Sequence, residues 1–139
     1  KTQYWVRQIM ERLYNSTPDG FPGDEDQGGM SSWYVLSALG IYAVTPGTNQ
    51  YVVGSPIFQK ATITLEDGKK FVIEAKDNSK ENVYIQSGEL NGAPLDKNYI
   101  TYDDIAAGGT LTFQMGSTPN YQRNTSKSAA PFSMSVKEN

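Results

Sequence analysis

The sequence predicts an α+β fold: two helices first, then a region of short antiparallel strands. Three observations carry this. Apolar residues recur at helical spacing before residue 40. From about residue 50 they alternate with a period of two. Gly-, Asn- and Asp-rich turns punctuate that second half at short intervals.

Residues 2 to 14 form the first helix on this reading. Val6, Ile9, Met10 and Leu13 share one face, Arg7, Gln8, Glu11 and Arg12 lie between them, and Thr2 is placed as the N-cap. The run Asn15-Ser16-Thr17-Pro18-Asp19-Gly20 ends it with turn residues. Residues 21 to 29 are a loop of glycines and acids, and Met30 to Leu39 are a second helix closed by Gly40. Its apolar residues point nearly all round the axis, so it is expected to be buried on most sides. One other helix and one sheet face cannot enclose it. Its neighbours are therefore expected on polypeptide beyond this chain or on another subunit.

The β region follows Pro46-Gly47. Ala61, Ile63 and Leu65 alternate with threonines, Glu66-Asp67-Gly68 turns the chain, and Phe71, Ile73 and Ala75 resume the alternation. Val83-Tyr84-Ile85 is a further strand, and Asn91-Gly92 is the strongest two-residue hairpin signal. Residues 102 to 105 read as one helical turn capped by Asp103-Asp104, before a last strand with Leu111, Phe113 and Met115. Such strands suggest an antiparallel sandwich. The expected organisation is helices and acidic loop over 1–46, antiparallel β region over 47–117, and a loosely held polar tail over 118–139.

Composition narrows the chemistry. The 139 residues carry 12 basic and 15 acidic side chains, for a net charge of −3, without a basic stripe, which argues against nucleic acid. Cysteine and histidine are both absent, so thiolate sites and imidazole bases are excluded and acid–base work falls to carboxylates, Lys or Tyr. No stretch is long enough for a membrane span. The chain begins at Lys1 and reads as a mature form or an excised piece.

The chemistry concentrates in PGDEDQGG. Asp24, Glu25 and Asp26 stand in a row between glycines at the mouth of the second helix. Helix-dipole stabilisation accounts for one acid, at roughly 0.3–1 kcal/mol, but three adjacent acids repel. An EF-hand fails, because its fifth, sixth and twelfth positions would be Gly28, Gly29 and Val35. The helix-dipole role, oxygen ligation of calcium in another geometry, and carboxylate catalysis remain. Asp24 and Asp26, two apart in an extended loop, point the same way, could hold one water, and are expected to be kept anionic by the helix amides. Glu25 points elsewhere, to a cation or a nearby backbone. An inverting glycosidase also needs a proton donor roughly 6.5–9.5 Å away, and no comparably placed acid is present.

The ordered runs YWVRQIMERLYNSTPDGFPGDED, PGDEDQGGMSSWYVLSALGIYAVTPGTNQYVVGSPIFQKATITL, FVIEAKDNSKENVYIQSGELNG, KNYIT and GGTLTFQMGSTPN carry a resemblance over roughly residues 3 to 120. The chain resembles the C-terminal part of bacterial glycoside hydrolase family 92, the calcium-dependent exo-α-mannosidases. The resemblance implies that the two helices are the last of an (α/α)6 barrel and that the parent enzyme removes terminal α-mannose from glycans with inversion. It implies Asp26 as general base with Asp24 beside it, and a general-acid glutamate upstream of Lys1. It also implies a Ca2+ ion with ligands not assignable here, and an exported, periplasmic or cell-surface location. Tyr102 stands where the family often has His. By this reading the partners are α-mannoside glycans and the remainder of the parent polypeptide, and the chain alone is inactive. The alternative is a non-catalytic β-sandwich module that binds carbohydrate or a partner protein, in which Asp24 and Asp26 would sit exposed and unpaired.

Overall fold

The computed structural model describes residues 1–135. In chain order its elements are α1 (Thr2–Leu13), α2 (Gly29–Leu39), β1 (Ile41–Tyr42), β2 (Gln50–Val53), β3 (Lys60–Thr64), β4 (Lys70–Lys76), β5 (Tyr84–Leu90), β6 (Ala93–Pro94), β7 (Tyr99–Thr101), α3 (Tyr102–Ala106) and β8 (Gly109–Gly116). Short 3-10 turns lie at Asp26–Gly28 and Lys127–Ala129. No helix among the described residues is long and apolar enough to cross a membrane.

The strands make two sheets, β1-β2-β7 and β3-β4-β8-β5-β6. The α+β class is as expected, but the larger sheet is mixed and not wholly antiparallel. β8 returns between β4 and β5 and runs parallel to β4, with Phe71 opposite Gly109 and Ala75 opposite Phe113. A parallel pair needs a long crossover, and here β5, β6, β7 and α3 supply it. Alternation shows which face of a strand is buried. It carries no mark of the strand's partner, so this pairing was not readable.

The buried face itself follows the predicted period. Phe71, Ile73 and Ala75 of β4 meet Leu111, Phe113 and Met115 of β8, joined by Ile85, Leu95 and Ile105. Ile41, Val53 and Ile100 of the smaller sheet complete the same core. Asn91 and Gly92 both take positive φ (52° and 80°), the left-handed pair that a tight hairpin between β5 and β6 requires. β5 extends well past Ile85 because of a bulge between Ile85 and Ser87. The bulge flips the phase of the strand and hid its second half from a period-two reading. Gly88 then lies against Phe113, whose Cδ1 would be 3.3 Å from any added Cβ.

The helices depart from expectation in two ways. Thr2 is the first helical residue and not the cap; Lys1 holds that place without a side-chain bond. Arg7, read as part of the polar face, is buried, while Trp5 is 58% and Leu13 48% exposed. Its Nη1 donates to the Pro56 carbonyl and to Asn78 Oδ1 (3.1 Å), and its Nη2 to the Ser79 carbonyl (2.8 Å). A cation can sit there because the Ser79 carbonyl and the Pro56 carbonyl, which Asn78 Nδ2 also reaches (3.1 Å), offer it acceptors. Burial pulls its pKa down, and Glu11, 3.6 Å from Nε, works against that.

α2 is only partly covered, in line with the expectation that one helix and one sheet face cannot enclose it. Only Ser37 and Ala38 are fully buried, and Val35 is 56% exposed. Within the described residues α1 and β1 cover one side of it. Its end is as predicted: Gly40 has φ 83°, and a Cβ there would lie 2.7 Å from Pro56 Cδ.

Beyond β8 the chain has little regular structure but is well bonded. Asn124 Nδ2 donates to the carbonyls of Leu95 (3.0 Å) and Lys97 (2.9 Å), Asn120 Nδ2 to that of Gln86 (3.0 Å), and Ala129 is buried. Polar side chains thus hold a segment whose composition lacks an apolar pattern. The last four residues of the expected tail, 136–139, lie outside the described ones.

Candidate active site

The acidic loop is held from below by one aromatic ring. Tyr14, just after α1, stacks on Trp33 (centroids 5.6 Å, 20° between planes), lies 5.0 Å from Tyr34, and takes Phe21 edge-on at 5.9 Å. Its hydroxyl donates to the Met30 carbonyl at 3.4 Å. Residues 14 and 21 thereby clamp both stems of the loop onto the first turns of α2. Burial, then the Glu25 carboxylate, then Tyr42 push the Tyr14 phenol above its ordinary pKa. Trp33 and Tyr34 belong to the helix that the sequence reading expected to be buried on most sides, and that reading passed over Tyr14. They are half-buried, and with Phe21, Ser31, Val35 and Asn15 the two tyrosines line an open cleft of about 370 Å³ beside the acids.

Among the three acids the structure makes a division of labour. Glu25 turns back to the start of α2, where its Oε2 accepts from the Ser31 amide (3.0 Å) and its Oε1 from the Ser31 hydroxyl (2.7 Å). This is an N-terminal cap and satisfies one of the helix's orphan amides. Asp24 and Asp26, expected to be held by those amides, are not. Both are exposed, and among the described residues no hydrogen bond reaches either side chain. Gln27 (φ 55°) and Gly28 (φ 75°) put two successive left-handed residues between Asp26 and the helix, which carries Asp26 off the helix axis. A Glu-to-Ser separation of six residues is the one sequence signal that pointed to this cap.

The loop therefore presents two unpaired carboxylates on a rigid base, with an aromatic cleft alongside. Chemically, they can accept protons, hydrogen-bond sugar hydroxyls or bind a cation. A calcium ion takes six to eight oxygens. Among the described residues no three acids converge to hold a metal. The acids among the described residues do not by themselves fit the calcium that the resemblance implies.

A sequence model of the glycosyl hydrolase family 92 catalytic domain matches residues 1–117. The chain belongs to that family. An uncharacterized secreted glycosidase from Arthroderma benhamiae is 35% identical over 106 residues, 74% of this chain and 14% of that protein. The family 92 inverting mannosidase of Bacteroides thetaiotaomicron VPI-5482 superposes with a TM-score of 0.89 at 47% identity, over 95% of this chain and 18% of its own. A family 92 α-mannosidase from Bacteroides thetaiotaomicron, in complex with mannoimidazole, gives 0.90 at 41% identity, over 96% of this chain and 18% of its own. The chain thus spans less than a fifth of each family 92 relative.

Proposed function

We propose that this chain supplies the general-base side of an inverting exo-α-mannosidase centre. In this reading a water held by Asp24 and Asp26 loses a proton to the Asp26 carboxylate as its oxygen attacks the anomeric carbon of a terminal α-mannoside. The glycosidic bond breaks on the opposite face, where an acid from elsewhere in the polypeptide protonates the departing oxygen, and β-mannose results. Glu25 takes no part, because its oxygens are committed to Ser31. The observation that carries the reading is 47% identity to an inverting mannosidase over 95% of the chain, acidic loop included within the family match. Any calcium would draw most of its ligands from other polypeptide, and no step here is routed through it. The secreted relative supports an exported location.

The test uses a polypeptide in which this chain is joined to the remainder of a family 92 enzyme. Asp26→Asn should lower kcat on an aryl α-mannoside by about 10²–10⁴-fold, the usual weight of a general base. Wild-type product should appear first as the β anomer by NMR. Unchanged kcat in Asp26→Asn sinks the assignment, and α anomer as first product sinks inversion. The 139-residue chain with calcium should show no turnover.

The exposure of Asp24 and Asp26 favours a second reading, a non-catalytic module that binds carbohydrate or a partner protein. The coding sequence upstream separates the two. Several hundred residues with a glutamate acid support the enzyme, and an isolated short gene supports the module.

A further inference from the structure

Glu25 stands between the two carboxylates assigned to the water, and its own oxygens are spent on the helix. The reason lies in how α2 begins. The residue in the cap position is Gly28, which has no side chain to offer the helix amides. The Gly29 amide donates to the Asp26 carbonyl. The Ser31 amide, two residues further in, has no carbonyl of the helix to reach. Glu25 supplies the acceptor: Oε2 lies 3.0 Å and Oε1 3.2 Å from that nitrogen, and Oε1 also accepts from the Ser31 hydroxyl at 2.7 Å. The same carboxylate, second to burial, helps hold the Tyr14 phenol above its ordinary pKa. The helix end is thus filled from within the chain.

The choice of acid is unexpected. Aspartate is a preferred capping residue and glutamate is not. The loop offers two aspartates, yet the structure uses the glutamate and spares both. Amides at a helix start attract any carboxylate within reach. A carboxylate that accepts them is stabilised as the anion and loses basicity. That is a poor place for a group that must take a proton from water. Asp26 is the residue most exposed to this capture. It adjoins Glu25, and its backbone carbonyl already lies on the helix end. Its side chain nevertheless receives no hydrogen bond among the described residues.

We propose that Glu25 is a positioning residue that occupies the start of α2 so that Asp26 stays free to act as the base. This role rests on the mannosidase reading. In an enzyme that joins this chain to the remainder of a family 92 polypeptide, Glu25→Ala should lower kcat on an aryl α-mannoside about 10- to 100-fold, with KM held within about twofold. It should also move the acidic limb of the kcat profile to lower pH, because Asp26 turns onto the vacated amide. Glu25→Gln removes the charge but keeps an oxygen for Ser31, so it should retain most of kcat. In the 139-residue chain, NMR of the Asp26 carboxyl against pH should show it ionising at lower pH in Glu25→Ala than in Glu25→Gln. That difference isolates the vacant amide from the lost charge. Equal Asp26 curves in the two variants, wild-type kcat in Glu25→Ala, or a fall in kcat with an unmoved acidic limb would each overturn the role. Unchanged kcat in Asp26→Asn would instead remove the base, and this role with it.

Discussion

Arg7 shows how far a single residue can depart from its sequence context. Its neighbours at helical spacing marked it as solvent-facing, yet it is the peg that fixes α1 to the turns around Pro56 and Asn78. Arg7→Ala would leave Asn78 Oδ1 and the Ser79 carbonyl short of donors in a dry site. We expect a loss of roughly 2–4 kcal/mol in urea unfolding, since bonds to charged groups are the strong ones. Tyr14 is the second case. Its raised pKa means that the folded state holds the phenol proton more tightly than the unfolded chain does. Its contribution to stability is complete below the unfolded value near 10 and is lost as pH rises through the folded value. An alkaline spectrophotometric titration should therefore show a late-ionising tyrosine that disappears in Tyr14→Phe and moves earlier in Glu25→Gln. Identical curves for the three proteins would contradict the geometry of the loop.

At the scale of elements, the acidic loop and α2 behave as one unit. The aromatic clamp at Tyr14, the Glu25 cap and the left-handed pair at Gln27 and Gly28 determine where the two free carboxylates stand. The far end of α2 depends on Gly40, which meets Pro56 in a left-handed conformation. Gly40→Ala combines a φ penalty with a steric one. It should cost about 1–3 kcal/mol by thermal or urea unfolding, and a neutral result would mean that the turn relaxes. α2 itself was legible as a helix, end included. Which of its faces this chain covers was not, because an apolar surface says that a partner is needed without saying where the partner is. Trp5, Leu13 and Val35 remain exposed on the helices, and Phe21 on the loop between them.

For the whole molecule, the two sheets share one core, while exposed apolar side chains lie both on the helices (Trp5, Leu13, Val35) and beyond them (Phe58, Tyr121, Met134). The chain spans less than a fifth of the family 92 relatives it matches. A direct consequence concerns calcium. Since no three acids converge among the described residues, millimolar CaCl2 should leave the melting temperature of the 139-residue chain unchanged. A chelator-reversible rise of several degrees would reveal a site built from this chain.

By itself the sequence determined the α+β class, the period-two core of β4 and β8, the hairpin at Asn91-Gly92, the end of α2 at Gly40 and the family. These are local: spacing, turn chemistry and motif order act within a few residues along the chain. Tertiary structure alone decided that β8 runs parallel to β4, that Arg7 turns inward, and that Glu25 caps the helix while Asp24 and Asp26 stay free. Each of those depends on which distant backbone carbonyl, amide or strand edge is left without a partner. That is settled only when remote segments meet.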